Sequence, residues 1–119
     1  MRLIIDKDEL PARRFEGHRH GGANVSFFLS ETPPGRGPGL HTHPYDEVFV
    51  VEEGELTFTV GDATVEARGG QIVIAPAGTP HKFVNSGTTR ARHIDIHTKG
   101  RMITEWLEDQ GSDNEGTGS

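Results

Sequence analysis

The sequence predicts an all-β fold, either a sandwich or a barrel of short antiparallel strands. Its 119 residues include 16 glycines and 7 prolines, which divide the apolar stretches into runs too short for ordinary helices. Residues 56–60, Leu-Thr-Phe-Thr-Val, alternate apolar and polar side chains, as does a strand that is buried on one face. Many short strands joined by such turns are typical of sandwiches and barrels.

The predicted strands follow one another closely from residue 25 to residue 97. After the first of them, a loop rich in glycine and proline excludes both a helix and a central strand. Gly54, and then Gly61 with Asp62, mark hairpin turns rather than crossover connections. The predicted strands cover residues 25–29, 41–43, 47–51, 56–60, 64–67, 72–75, 81–85 and 90–97.

The first 22 residues are predicted to hold an edge strand and a loop. Residues 3–5, Leu-Ile-Ile, predict an added edge strand, and a polar loop follows over residues 11–22. This loop carries His18 and His20, with no carboxylate at hairpin distance. We therefore interpret the pair as part of a flexible loop rather than as a second metal site.

The C-terminal part divides into two predicted sections. Residues 101–109 predict the only helix of the chain, with one apolar stripe along it. Residues 110–119 are too polar to order themselves. The sequence therefore predicts a single domain over residues 1–109, followed by a disordered acidic tail over residues 110–119. The stripe of the predicted helix consists of Met102, Ile103, Trp106 and Leu107.

Charge and composition exclude several classes of protein. The net charge of −6 lies mainly at the C-terminal end, since residues 1–104 carry 13 of the 18 acidic residues and all 12 basic ones. No basic stripe is present, which argues against a nucleic-acid partner. No long apolar run or secretory signal is present, so we expect no membrane contact and a cytoplasmic location. The absence of cysteine excludes disulfides and thiolate ligands.

Two histidines and a glutamate are spaced so that one hairpin can bring them together. His41 and His43 share a face of a strand, because alternate side chains point the same way. Residues 44–46, Pro-Tyr-Asp, predict a bend, and the β-branched and aromatic run after them places Glu47 at the start of the returning strand. The spacing therefore predicts three side chains aimed at a common point.

A second stretch supplies a fourth group. The apolar run over residues 71–75 ends in Pro-Ala-Gly-Thr-Pro, a turn cluster that places His81 at the start of a new strand. If the two stretches pair in space, His41, His43, Glu47 and His81 surround one metal ion. Three neutral imidazoles and a carboxylate suit divalent first-row transition metals. A single histidine on a strand is usually structural, so it is the joint spacing that favours a metal site.

The two stretches resemble the two motifs of the cupin superfamily. Residues 35–54 match a glycine, five residues, H-x-H, three residues, E, six residues and G, and residues 70–85 match a glycine, five residues, P-x-G, two residues, H, three residues and N. The resemblance implies a small single-domain bacterial cupin, an antiparallel β-barrel also described as a jelly roll or double-stranded β-helix. It implies one divalent transition metal ion per chain, held by His41, His43, Glu47 and His81.

The identity of the ion and the oligomeric state rest on the same resemblance. Iron, manganese, nickel, zinc, copper and cobalt all accept this ligand set, and intrinsic affinity does not choose among them. The resemblance also implies a homodimer. Apolar strand faces at Val48 and Val50, together with Trp106, favour this state.

Further side chains are candidates for a pocket beside the ion. Period two places Phe49 and Phe83 on the interior faces of their strands, where they can contact a small organic ligand. A role in the core is the favoured interpretation of both rings, since small barrels fill their interiors with side chains. Tyr45, in the bend, is the one phenol of the chain.

His93 and His97 share one face of the last predicted strand. Either can supply a proton donor or a contact to a metal ligand, and His97 is included in the candidate pocket. A position at the protein surface is the favoured interpretation of both histidines. Ile94 and Ile96 are predicted to face the opposite way.

Two classes of function are open at this stage. The favoured class is a small metalloenzyme, dioxygenase-like or isomerase-like, in which the ion acts on a small organic molecule as Lewis acid or redox centre. The other class is a non-catalytic cupin that binds a small ligand, as sensory cupins do. A storage role is disfavoured because the predicted ligand set is complete. The fold itself does not decide between them.

Overall fold

Residues 2–110, described by a computed structural model, form two antiparallel β-sheets. One sheet has the strand order β1-β2-β9-β4-β7 and the other has the order β10-β3-β8-β5-β6. The prediction of an all-β fold is confirmed. The ten strands in this part of the chain are β1 (Arg14–Glu16), β2 (Ser26–Thr32), β3 (His41–Thr42), β4 (Glu47–Glu53), β5 (Glu55–Val60), β6 (Ala63–Arg68), β7 (Gln71–Ala75), β8 (His81–Val84), β9 (Ala91–His97) and β10 (Glu105–Trp106).

The apolar core draws side chains from both sheets. Phe49, Phe58 and Phe83 pack ring against ring, with centroids 4.8 to 5.9 Å apart, and such contacts add to the stabilisation from burial. Phe49 and Phe83 thus take the core role that the sequence favoured. The buried members of this core are Phe49, Val51, Leu56, Phe58, Ala67, Ala75, Phe83 and Ala91.

Strand pairing brings distant parts of the chain together at one end of the sheets. His41 of β3 pairs with His81 of β8, and Glu47 of β4 pairs with His97 of β9. The eight strands predicted between residues 25 and 97 are all present as β2 to β9. The two motif stretches therefore meet in space, as the metal hypothesis requires.

The predicted helix over residues 101–109 is wrong. Strand β10 lies there instead and pairs with β3. Just beyond it, the amides of Leu107 and Glu108 both donate to the carbonyl of Leu40, at 2.9 and 3.1 Å. These bonds satisfy backbone groups at the edge of β3, which a helix would leave unpaired. Burial follows the period of a strand, since Met102, Thr104 and Trp106 are half-buried and the residues between them are exposed.

The N-terminal segment also differs from the prediction. Residues 3–5 form no strand, and the side chains of Leu3 and Ile4 are 88% and 83% exposed. Strand β1 lies instead within the predicted polar loop, where Phe15 pairs with Phe27 of β2. The sequence did not predict this strand, because only one of its three side chains is apolar.

The histidine pair in that loop has ordered contacts. His18 Nε2 lies 3.5 Å from a carboxylate oxygen of Glu16, two residues earlier in the chain. The ring of His20 stacks on Phe15 with centroids 4.7 Å apart. Within residues 2–110, neither histidine belongs to the group of side chains that can hold a metal ion.

The last predicted section falls almost entirely outside the described residues. Of the predicted tail over residues 110–119, only Gln110 is described, and the domain boundary at residue 109 stays a prediction. In the part of the chain that the structure describes, no helix is both long enough and apolar enough to cross a membrane.

Four motif glycines have backbone conformations that other residues rarely adopt. Gly35, Gly54, Gly70 and Gly78 have φ values between 76° and 93°, in the region that glycine tolerates best. Gly54 has a second constraint in the turn between β4 and β5. A Cβ atom at this position would lie 2.9 Å from the Cα of Ala91. Gly70 has φ +93° and no atom within 4 Å of such a Cβ.

Replacing Gly54 by Ala should therefore destabilise the fold more than replacing Gly70 by Ala. Both variants strain a left-handed backbone, which costs about 1–2 kcal/mol, and only Gly54→Ala adds a steric clash with β9. We expect Gly54→Ala to lower the free energy of unfolding by about 1–3 kcal/mol more than Gly70→Ala does. Chemical denaturation of both variants measures the difference, and equal losses would contradict the close approach.

Candidate metal centre

Four buried side chains from separate elements converge at one end of the sheets. His41 lies on β3, Glu47 begins β4 and His81 begins β8, while His43 directly follows β3. Their candidate ligand atoms all lie within 4.8 Å of one another, and each side chain is buried. The structure thus brings together the four residues that the motif spacing predicted. Such a group can hold a metal ion.

Backbone carbonyls fix the orientation of the three imidazole rings. In each ring, Nδ1 lies within hydrogen-bond distance of a carbonyl oxygen, which can only accept. The proton of the neutral ring therefore resides on Nδ1, and Nε2 presents a lone pair. The Nδ1 atoms of His41, His43 and His81 donate to the carbonyls of Gly39, Ile103 and Thr79, at 2.7, 2.8 and 2.9 Å.

The inner atoms of this group lack ordinary partners. The Nε2 atoms of His41 and His43, and Oε2 of Glu47, are buried without a hydrogen bond. His43 Nε2 lies 2.9 Å from Oε1 of Glu47, without the alignment of a hydrogen bond. A buried polar atom without a partner costs about 1–3 kcal/mol. A divalent ion would accept all these lone pairs at once, so the donor set fits a transition metal.

The charges of the group follow from burial and mutual contact. Burial raises the pKa of Glu47, but the close imidazoles of His43, His81 and His97 outweigh it and hold this pKa well below its usual range. Burial lowers the pKa of His41 to about 4, so this ring is neutral at pH 7. Burial also lowers the pKa of His81, but the hydrogen bond to Glu47, at 2.9 Å, more than offsets it and raises the pKa overall.

Tyr45 and His97 form a line of polar contacts that leads away from Glu47. The hydroxyl of Tyr45 lies 2.6 Å from Nδ1 of His97, and Nε2 of His97 lies 3.2 Å from Oε2 of Glu47. Burial raises the pKa of Tyr45 to about 12, so the phenol keeps its proton. When the hydroxyl donates to Nδ1, the ring proton of His97 lies on Nε2 and faces the carboxylate.

The surface positions favoured for His93 and His97 were wrong. Both side chains are fully buried, whereas Ile94 and Ile96 face outward as predicted. His93 lies deeper in the interior, with Nδ1 2.5 Å from Oδ1 of Asp95 and Nε2 2.8 Å from Oγ1 of Thr32. The interior face of β9 is therefore polar along most of its length, which is unusual for a strand that faces a core.

The segment around β10 completes the surroundings of the group. The amide of Ile103 donates to the hydroxyl of Tyr45 at 3.0 Å, and its carbonyl accepts from His43. The indole of Trp106 packs against His41, with centroids 4.8 Å apart. The sequence did not indicate Ile103 as part of the site, because this residue acts through its backbone, which every residue type has. It did not indicate Trp106 because residues 101–109 were predicted as a helix.

Comparison with known proteins agrees with this arrangement. The profile of the Cupin domain matches residues 28–97, more than half of the chain. The chain belongs to the cupin family. This cupin is also 37% identical over 60 residues to an uncharacterized protein of Streptomyces coelicolor, and the match covers 50% of this chain. The match spans only 57% of that relative's length.

Solved structures show the same fold at low identity. A Klebsiella pneumoniae protein with a double-stranded β-helix domain is 20% identical, with a TM-score of 0.68 over 92% of this chain and 100% of that one. Oxalate decarboxylase of Bacillus subtilis is 19% identical, with a TM-score of 0.72 over 79% of this chain and 27% of that one. At these identities the likeness establishes the fold, and the expected cupin-type barrel is confirmed.

The depressed pKa of His41 should make the metal-free protein sensitive to acid. The unfolded ring takes up a proton near pH 6.5 and the folded ring only near pH 4. Stability is therefore lost as the pH falls through this window, by about 3 kcal/mol in all. His81 has the opposite sign, because its raised pKa gives stability that is present below pH 6.5 and lost as the pH rises through its folded value.

Chemical denaturation in the presence of a chelator, at steps from pH 7 to pH 4, measures this dependence. His41→Asn is the matched variant, since its amide can still donate to Gly39 but does not titrate. We expect the free energy of unfolding to fall less between pH 6.5 and pH 4 in the variant than in the wild type. An identical loss in both proteins would show that other groups cause it.

Proposed function

We propose that this cupin binds one divalent transition metal ion through His41, His43, Glu47 and His81, and catalyses an oxidation or isomerisation of a small organic molecule. The observation that carries the proposal is the orientation of the three imidazoles, whose Nδ1 atoms are bound to carbonyls while their Nε2 atoms converge beside Glu47. When bound, an ion of this class supplies a Lewis acid or a redox centre.

The surrounding residues support catalysis rather than metal binding alone. Glu47 remains a carboxylate, and His97 can present a proton to it while Tyr45 keeps the ring in place. A buried imidazole beside this carboxylate, positioned by the phenol, can move a proton during a reaction. Phe49 packs against His81 in a T-shaped contact, with centroids 5.9 Å apart, so an apolar ring borders the centre on its interior side.

The second candidate is a cupin that binds a small ligand without changing it. The observation that favours it is the burial of the four candidate ligands, which range from fully buried to 2% exposed. A centre so enclosed admits only a small molecule. Turnover by the metal-loaded protein separates the two candidates, because binding alone leaves the ligand unchanged.

Metal content and affinity provide the first test. We expect about one ion per chain by plasma mass spectrometry, and a loss of affinity of at least about 100-fold in His41→Ala and in His81→Ala. Trp106, the one tryptophan of the chain, packs on His41 and should report binding through its fluorescence. Both variants should stay folded, since the core of the barrel does not depend on the ion.

His20→Ala is the control for this experiment, because it removes a histidine that stacks on Phe15 away from the centre. This variant should keep the metal content and the fluorescence response of the wild type. Equal metal content in His20→Ala, His41→Ala and His81→Ala would refute the assigned ligand set.

Tyr45 provides the test of catalysis. Its hydroxyl bonds to His97 and Ile103 rather than pointing at the ligand atoms, so Tyr45→Phe should keep the metal. We expect its turnover to fall by about 10²–10⁴-fold, the usual contribution of a positioned proton donor, because His97 loses the contact that orients its ring. Oxygen consumption and proton NMR, run over a panel of small organic acids, phenols and keto compounds, detect oxidation and isomerisation. Binding of a panel member without any turnover would instead favour the second candidate.

A further inference from the structure

Residues 98–104 connect β9 to β10 and lie directly against the candidate metal centre. None of the seven belongs to a strand, and four of them are exposed. We call these residues the strap. The ring of His43 donates to the carbonyl of Ile103 at 2.8 Å, and the hydroxyl of Thr104 lies 3.3 Å from the same Nδ1 atom. The strap therefore lies between this candidate ligand and solvent.

The burial of the centre requires part of its cover to move before anything can enter. The four candidate ligands are between 0% and 2% exposed, so neither an ion nor a small molecule reaches their inner atoms in the closed arrangement. Strands β3, β4 and β8, which carry three of these ligands, are each paired with strands on both sides. The strap has no such ladder, and segments without one open at the lowest cost in free energy.

Hydrogen bonds to other segments hold the first half of the strap. At its start, Thr98 donates to the carbonyl of Asp46 through its amide and its hydroxyl, at 3.3 and 2.8 Å. In its middle, the carbonyl of Gly100 accepts from the amide of His18 at 2.8 Å. A Cβ atom at Gly100 would lie 2.8 Å from the carbonyl oxygen of Ala23, so the strap packs closely on the segment that follows β1.

Glu16, the last residue of β1, holds the second half of the strap. One oxygen of its carboxylate accepts from the amide of Met102 at 3.0 Å, the residue directly before Ile103. The other oxygen lies 3.1 Å from a nitrogen of Arg14 and 3.7 Å from one of Arg19. Burial raises the pKa of Glu16, but the amide of Met102 and the guanidinium of Arg14 outweigh it and lower this pKa overall. The acceptor is therefore a carboxylate at pH 7, and a hydrogen bond to an ionised acceptor is among the stronger ones.

We infer that Glu16 is a positioning residue that holds the strap closed over the candidate metal centre. When its bond to Met102 breaks, the strap can move away from His43 and open a path to the inner atoms of the centre. When the bond forms, the carbonyl of Ile103 returns to His43 and fixes the proton of that ring on Nδ1. A carboxylate of β1 thereby controls both the entry of an ion or a substrate and the tautomer of a candidate ligand.

Hydrogen exchange in the metal-free protein tests the strap directly, although the inference rests on the proposed metal site. In the wild type, the Ile103 amide should exchange at least about 100-fold faster than the Ile94 amide in the middle of β9, because the strap opens without global unfolding. Glu16→Ala should accelerate exchange at Ile103 by about a further 10- to 100-fold, the effect of losing one hydrogen bond to a charged group, and should leave Ile94 unchanged. Ile103 keeps its own acceptor, the hydroxyl of Tyr45, so faster exchange reports movement of the strap.

The rates of metal exchange test the control of access. Uptake of Co²⁺ and its removal by a chelator, both followed by Trp106 fluorescence, should each be about 10-fold faster in Glu16→Ala, because the ion enters and leaves through the open state. A purely structural role would speed removal by weakening the site but would not speed uptake. Glu16→Gln should stay close to the wild type, since its amide oxygen can still accept from Met102. Both variants remove the same charge, so the difference between them isolates this hydrogen bond.

Glu31→Ala is the matched control, because it removes a carboxylate that pairs with Arg13 at 2.6 Å. Glu31 lies beside the start of β9, whereas the strap follows the end of that strand, so this variant should match the wild type in both measurements. A wild type that takes up no Co²⁺ would refute the proposed metal site, and exchange at Ile103 would still decide the role of Glu16. Equal exchange at Ile103 in Glu16→Ala and the wild type would overturn the inference, and so would faster exchange with unchanged uptake.

Discussion

The candidate metal centre depends on three hydrogen bonds from imidazole Nδ1 atoms to backbone carbonyls. His41 and His81 each donate to the carbonyl of the residue two positions earlier, so the local chain alone orients both rings. His43 differs, because its acceptor is Ile103, 60 residues away. The extended segment around β10 is therefore part of the centre, and its pairing with β3 orients a ring as well as closing a sheet edge. Without this segment, the neutral ring of His43 could carry its proton on either nitrogen.

Protons and a metal ion compete for the same inner positions. In the metal-free chain the raised pKa of His81 leaves this ring able to hold a proton against Glu47, which offsets part of the penalty of a buried carboxylate. His41 receives no such compensation and its pKa falls to about 4. An ion that replaces the proton would satisfy both rings and the carboxylate together, and its affinity would rise with pH as the proton leaves. The strands hold the inner Nε2 atoms and the carboxylate in place.

Most of the centre was visible in the sequence because period and spacing determine it. Strand alternation aligned His41 with His43, and turn residues placed Glu47 and His81 at strand starts. The failures have physical causes. Apolar residues within 101–109 fit a helix and a strand about equally well, since the segment is short. His93 was assigned to the surface because the other face of β9 carries isoleucines, which usually face a core. No local pattern reveals that the histidines, rather than the isoleucines, face the interior.

Strand β9 positions part of the candidate metal centre although it carries none of the four candidate ligands. Its inward face carries His97 against Glu47, and its outward face carries Ile94 and Ile96, which are half-buried. A strand that is polar inside and apolar outside inverts the usual arrangement. Pairing with β2 on one side and β4 on the other restrains the backbone that holds His97. The geometry around Glu47 therefore depends on the centre of this sheet as well as on the two motif stretches.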